Sequence, residues 1–198
     1  MNLPYVGIHL KTINTFFHEL GHALASLLSA GEIHHIKLNL NNSGEALTAN
    51  KEWFSKFFVS ISGYLFPLVL AIFLALFIHY HKTIIAVYSL VSISVAATIM
   101  WIRNTYGYVW CLLFIVLQSA IIYFDNLVFQ KYFLIVVMQA LLAENVNATI
   151  TLLKLAYRNP KQAGDASSLK QLTLVPAILW SLLFIMASVI TILLGLVI

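Results

Sequence analysis

Charge is what this chain has least of. Only 9% of its 198 residues are Asp, Glu, Lys or Arg, whereas 61% are hydrophobic and the mean hydropathy is +0.92. A soluble globular domain carries roughly 25% charged residues, so the composition excludes that class and indicates an integral membrane protein. Cysteine is almost missing. The single Cys111 excludes an intrachain disulfide and a cysteine-based zinc site, and says little about redox compartment. No cleavable signal peptide is evident, because residues 1–7 hold no basic region and the first apolar run carries ionisable groups. Internal repeats, low-complexity tracts and domain linkers are lacking too, so residues 1–198 read as one membrane domain. The net charge of +4 does not call for nucleic acid. Its basic residues are scattered between apolar segments, where they mark topology.

What the chain has in abundance is long apolar runs. A spanning helix needs ~20 mostly apolar residues, and six segments qualify: 8–30, 53–80, 83–102, 106–124, 127–157 and 172–198. The expected fold is therefore an all-α polytopic membrane protein of about six transmembrane helices. Trp53, Tyr80, Trp101 and Tyr106 fall near segment ends, as interfacial anchors do. Gly21, Ala23, Ala25, Ser26 and Ser29 let a neighbouring helix approach the first segment closely, and Gly31 reads as its C-cap. In the second, Gly63-Tyr64-Leu65-Phe66-Pro67 marks a bend. Residues 32–51 differ in character. A partly alternating run, the turn signal Asn41-Asn42-Ser43-Gly44 and the return Glu45-Ala46-Leu47-Thr48 predict a short β-hairpin at the membrane surface. Residues 158–170 form the longest polar stretch and read as a loop.

Inside the first apolar run stands His18-Glu19-Leu20-Gly21-His22. At helical spacing, residues i and i+4 share a face, so His18 and His22 can grip one metal ion. Glu19 projects beside them, placed to take a proton from water activated by that ion. Zinc is the default ion for nitrogen ligands in this pattern. The alternative is a pair of hydrogen-bonded helix histidines. That fits poorly, because ionisable groups at membrane depth are expensive and are kept for function.

A catalytic zinc takes three protein ligands and keeps one position open. The remaining acids are few: Glu32, Glu45 and Glu52 belong to the hairpin region and Asp125 to the opposite side, which leaves Glu144 and Asp165. Glu144 stands in Ala143-Glu144-Asn145-Val146-Asn147 at about the depth of the histidines, as a ligand or as part of a polar packing cluster; Asn145 and Asn147 are candidates for substrate binding or ligand support. Asp165 lies in Gly164-Asp165-Ala166-Ser167-Ser168, as a ligand or as the cap of the following helix. His34 and His35 are possible extra ligands, although a strand points neighbours to opposite faces and favours solvated positions.

Basic residues orient the chain. In a six-helix arrangement Lys11, Lys82 and Lys131 fall on one side, and Lys37, Lys51, Lys56, Arg103, Lys154, Arg158, Lys161 and Lys170 on the other. The richer side is expected to be cytoplasmic. It carries the hairpin and the loop before the last helix. The metal site then opens towards the cytoplasm, on the order of 12 Å below that boundary.

These features resemble the site-2 protease family of intramembrane zinc metalloproteases, in its compact bacterial-type branch. The resemblance is carried by Phe17-His18-Glu19-Leu20-Gly21-His22-Ala23-Leu24-Ala25, the following Gly31, the hairpin with Gly44, Ser62-Gly63-Tyr64, and Gly164-Asp165-Ala166, which is similar to a late Ser-Asp-Ala element of some relatives. It implies a zinc endopeptidase that cuts a membrane protein substrate in or near a transmembrane helix, with His18 and His22 as zinc ligands and Glu19 as general base. It also implies a hairpin that helps present an unwound substrate strand. The family's late Leu-Asp-Gly triplet is absent, and the matching region offers Glu144, Asn145 and Asn147, so the resemblance does not choose between Glu144 and Asp165. One alternative is a catalytically inactive relative that binds membrane proteins. Another, a small transporter, gains little support from six short segments without a repeat.

Overall fold

The computed structural model describes residues 6–197; the sequence readings that touch residues 1–5 and Ile198 fall outside them. Among the described residues the chain forms α1 (Val6–Leu28), β1 (Glu32–Leu38), β2 (Gly44–Ala49), α2 (Trp53–His79), α3 (Thr83–Met100), α4 (Thr105–Phe124), α5 (Leu127–Arg158), α6 (Gly164–Thr173) and α7 (Ala177–Val197). Five of the helices, α2, α3, α4, α5 and α7, are long and apolar enough to cross a membrane. Their outward faces are apolar: α4 exposes Leu112, Leu113, Val116 and Leu117, which suits lipid and not water. The protein is an integral membrane protein.

Helix α1 differs in kind. It has the length of a span but sits at the centre, with Phe16, Phe17, Leu20 and Ala23 at most 1% exposed. Five of its polar side chains, Thr12, Asn14, Glu19, His22 and Ser26, are buried, away from lipid. Gly21 is the point of closest approach to α2: a Cβ there would stand 2.7 Å from the Ser62 carbonyl oxygen and 2.8 Å from Phe66 Cβ. The small-residue reading of this helix therefore holds where it matters most. Its C-terminus differs from expectation. Ala30, with φ 56°, takes the left-handed position, and the Gly31 N–H donates to the Ser26 carbonyl at 2.8 Å. Gly31 is instead required for space, because the Asn50 carboxamide occupies the place of its missing side chain.

The hairpin is antiparallel, with Ile36 opposite Ala46 and Leu38 opposite Gly44, and a bulge between Ile33 and His35. It is not a surface flap. It folds back along α1: the Ser26 hydroxyl donates to the Asn50 side chain at 3.0 Å at one end, and Thr15 donates to the Asn42 carbonyl at 3.0 Å at the other. Ile36 and Leu38 are fully buried, which is what draws the strand inwards. The outer edge of β1 is sealed by the turn between α3 and α4. Ile36 N–H donates to Trp101 O at 2.7 Å, Arg103 N–H to Ile36 O at 3.1 Å, and the Asn104 carboxamide bonds both Leu38 N–H at 3.1 Å and Leu38 O at 2.6 Å. At 1.5 Å per residue α3 and α4 are about 27 and 30 Å long, close to the ~30 Å hydrocarbon core. The hairpin thus lies at the end of that two-helix unit and not in its middle.

Sequence alone reads residues 158–170 as loop, and here the structure corrects it. Asn159-Pro160 stops α5, because the residue before a proline is driven out of helical geometry. The chain then restarts as α6 from Gly164. Ala163, Ala166 and Leu169 recur at helical spacing and are completely buried, in a cluster with Tyr64, Leu152, Ala156, Ala177 and Phe184. Two indoles fasten the far end of α6: Trp53 Nε1 donates to Leu172 O at 2.9 Å and Trp180 Nε1 to Thr173 Oγ1 at 3.2 Å.

Candidate metal centre

The packing of α1 against α2 and α6 brings three donor atoms together. His18 Nε2 and His22 Nε2 are 3.1 Å apart, and Asp165 Oδ2 lies 3.4 Å from each. Among the described residues His18, His22 and Asp165 are the one group of three or more candidate ligands gathered closely enough to hold an ion. Four ligands in a tetrahedron with bonds of about 2.05 Å stand about 3.3 Å from one another. The three observed separations match that edge, so two imidazole nitrogens and one carboxylate oxygen fit a zinc ion by spacing and by donor type.

Each donor is held by something specific. His22 Nδ1 lies 2.8 Å from the Val59 carbonyl. A carbonyl only accepts, so Nδ1 carries the proton and Nε2 keeps its lone pair for a ligand. The His18 ring packs edge-on to Tyr64, with centroids 4.7 Å apart, and Tyr64 stacks on Phe184 behind it, also at 4.7 Å. Gly63, one helical turn after Val59, makes the room: a Cβ there would collide with His22 Nε2 and stand 2.7 Å from His18 Cε1. Pro67 lies inside α2, and lacking an N–H it donates nothing to the Gly63 carbonyl. Asp165 comes from the first turn of α6. Burial opposes ionisation of its carboxyl, but the His22 and His18 rings outweigh that and hold it well below the usual carboxylate range.

Glu19 is buried beside the histidines and accepts a hydrogen bond from the Ala46 backbone N–H. Strand β2 comes this close because Gly44 has no side chain; a Cβ there would stand 2.8 Å from Glu19 Cδ. The three donors and Glu19 line one cavity of about 900 Å³, shared with Ala46 and Thr48 of β2 and with Gly164 and Ser168 of α6.

The residues singled out from sequence divide as follows. His18, Glu19, His22 and Asp165 converge. Asp165 does not cap a helix; the cap position of α6 is Ala163 and makes no side-chain bond. Glu144 lies outside the cluster and accepts from Asn147 Nδ2 at 3.4 Å, while Asn145 Nδ2 donates to Ser188 Oγ at 3.0 Å, joining α5 to α7. His34 and His35 are also apart from it, and His35 Nε2 meets Glu45 Oε1 across the strands at 3.2 Å. Sequence reasoning missed the Val59 carbonyl and the Ala46 amide. Neither has a side-chain signature, although Gly63 at i+4 from Val59 is a trace of the first.

Fold and site together define a class: a helical membrane protein with a candidate two-histidine, one-carboxylate metal centre at its core. The family model for Peptidase M50B-like proteins matches residues 2–195, and the chain belongs to that family, which is the site-2 protease family. No curated protein and no solved structure matches the chain.

Proposed function

We propose that the chain is a zinc-dependent intramembrane endopeptidase that hydrolyses a peptide bond in or near a transmembrane segment of a membrane protein. The observation that carries the reading is the convergence of His18 Nε2, His22 Nε2 and Asp165 Oδ2 within 3.4 Å beside the buried Glu19. These three residues would hold the zinc, with Asp165 rather than Glu144 as third ligand. Bound there, zinc supplies a Lewis acid that polarises a peptide carbonyl and acidifies water to near-neutral pKa, ~7.

The remaining work falls to the chain itself. Glu19 takes the proton of the attacking water on its carboxylate and delivers it to the leaving nitrogen. The Ala46 N–H holds that carboxylate in place, and Val59 holds the His22 ring in the tautomer that leaves Nε2 available. Peptide bonds in a helix are shielded by their own hydrogen bonds, so a substrate must unwind before it is cut. Strand β2, paired with β1 on one edge and bordering the cavity on the other, offers backbone groups for such a strand. The basic residues gathered at the hairpin and α6 end, which include Lys11 because it borders the hairpin turn and Gln162 and was expected on the opposite side, against Lys82 and Lys131 at the other, support a site that opens to the cytoplasm.

Replacing Glu19 by Gln tests the reading directly. Cleavage of a membrane substrate should vanish while zinc stays near one per chain. Turnover by the variant would remove Glu19 from the mechanism, and wild-type protein purified without zinc would favour the inactive, partner-binding relative.

A further inference from the structure

The fold treats the chain's two arginines differently. Arg103 is fully employed: its guanidinium donates to the carbonyls of Ile99, Met100 and Ile102 and to the Tyr108 hydroxyl. Arg158, in the last turn of α5, makes no side-chain hydrogen bond and no ion pair among the described residues, and Lys154, one turn before it, makes none either. Both are exposed. They share a groove of about 420 Å³ with Leu153 and Tyr157 of α5 and Ile178 of α7, a size within the ~300–1,000 Å³ of small-ligand sites.

Three features of this groove point to its occupant. The first is charge. After Glu144 the sequence holds one acid, Asp165, against Lys154, Arg158, Lys161 and Lys170, and Asp165 is committed to His18 and His22. The stretch from the last turns of α5 to α7 therefore spares no carboxylate for the groove. The second is spacing. A cation in the last turn of a helix is favoured by the helix dipole, which accounts for Arg158. Like charges four apart on a helix repel each other, so Lys154 works against that gain unless an anion lies between the two. The third is depth. Helix α7 has 21 residues, about 30 Å of helix, which matches the ~30 Å hydrocarbon core. Its first turn, where Ile178 stands, thus sits at a headgroup boundary. One turn further into the membrane, Ile150 of α5 and Leu182 of α7 are exposed and apolar. A cationic rim above an apolar wall suits an amphiphile and not a free ion.

We propose that this groove binds an anionic phospholipid, with Lys154 and Arg158 on its phosphate, Tyr157 at headgroup level, and Leu153, Ile178 and Leu182 along the first methylenes of an acyl chain. The guanidinium fork can hold two phosphate oxygens at once, and the ammonium adds a point charge beside it. The groove shares no lining residue with the metal cavity, so the proposal does not depend on the proteolytic reading.

In the test, delipidated protein in a non-ionic detergent is titrated with phosphatidylglycerol or with phosphatidylcholine of the same chains, whose choline cancels the phosphate charge. Native mass spectrometry counts the first lipid bound. Each basic residue at a membrane surface is worth about fivefold in binding, so phosphatidylglycerol should bind roughly 25-fold tighter. Lys154→Gln combined with Arg158→Gln should erase that preference and leave phosphatidylcholine binding unchanged. Lys37→Gln combined with Lys51→Gln removes the same charge from the hairpin and should keep the preference. Both groove positions are exposed, so thermal unfolding of the double variant should match the wild type. Should it unfold early, each single substitution, expected to cost about fivefold, carries the test. Equal binding of the two lipids to wild type, or a preference that survives the groove substitutions, would overturn the proposal. Equal loss in the hairpin variant would overturn it too, by making the charge of the whole face responsible. So would displacement of the lipid by millimolar glycerol phosphate, the mark of a site for soluble phosphate esters.

Discussion

Gly63→Ala adds one carbon and a net two hydrogens to α2, and the structure fixes where that carbon must go. It would collide with His22 Nε2 and stand 2.7 Å from His18 Cε1, where non-bonded carbons normally keep about 3.5–4.0 Å. One or both rings must therefore recede by about 1 Å. Neither has free room: His22 is tied to Val59 at 2.8 Å, and His18 backs onto Tyr64. Metal–ligand distances tolerate only about ±0.2 Å, so the displacement removes at least one good ligand. Disturbing a residue that merely supports a ligand costs roughly 10–100-fold in affinity, and this substitution moves the ligands themselves; the expected loss is about 100-fold or more. The fold should survive. Alanine gains up to about 1 kcal/mol in helix propensity against an overpacking cost of about 1–3 kcal/mol. The assay is zinc retained per chain after dialysis against graded chelator, read beside thermal stability, with Gly195→Ala as control because nothing lies within 4 Å of its added carbon. Wild-type zinc affinity in Gly63→Ala would refute the claim that both rings face a shared ion across Gly63.

Three other predictions follow from the same geometry. Asp165→Ala should strip the metal, whereas Glu144→Ala should keep it; the opposite pattern in metal analysis would reassign the third ligand. Zinc retention should fall with acidification. Asp165 is held ionised well below the ordinary carboxylate range, so release on acidification belongs to protons competing with the ion for the imidazole nitrogens. The sign is release at low pH, and flat retention on acidification from about pH 8 to about pH 5 would argue against histidine ligation. With Cys111 buried as the native background, a membrane-impermeant thiol reagent applied to intact cells should label Lys82→Cys and not Lys170→Cys. The reverse labelling would turn the cavity away from the cytoplasm.

Some of this molecule was legible residue by residue. The His18/His22 spacing is a property of one helix, so it needs no knowledge of neighbours. The hairpin was marked by Asn41-Asn42 and by its alternation, and Asn42 indeed adopts φ 60° at the turn. The long apolar runs could be counted. Other features were not legible, because they depend on surfaces meeting. Glu144 and Asp165 were indistinguishable as third ligands: helical pitch says nothing about which of two distant carboxylates will be carried to α1. The short α6 was hidden in a polar stretch because its buried face consists of Ala163, Ala166 and Leu169, too small and too few to make a hydropathy signal. The hairpin's seat was not legible because two buried side chains, Ile36 and Leu38, set it, and only the α3–α4 turn shows what the outer edge of β1 pairs with.

The sequence by itself therefore determined the environment and the chemistry: a chain with so few charges must live in lipid, and an i, i+4 histidine pair flanking a carboxylate must present its nitrogens on one face. Tertiary structure alone decided which carboxylate stands beside the two histidines and what holds that cluster. Asp165 is brought over 140 residues of chain by the docking of α6, Glu19 is met by an amide from β2 where Gly44 leaves space, and the two imidazoles sit in room left by Gly63; no local rule could reserve either space.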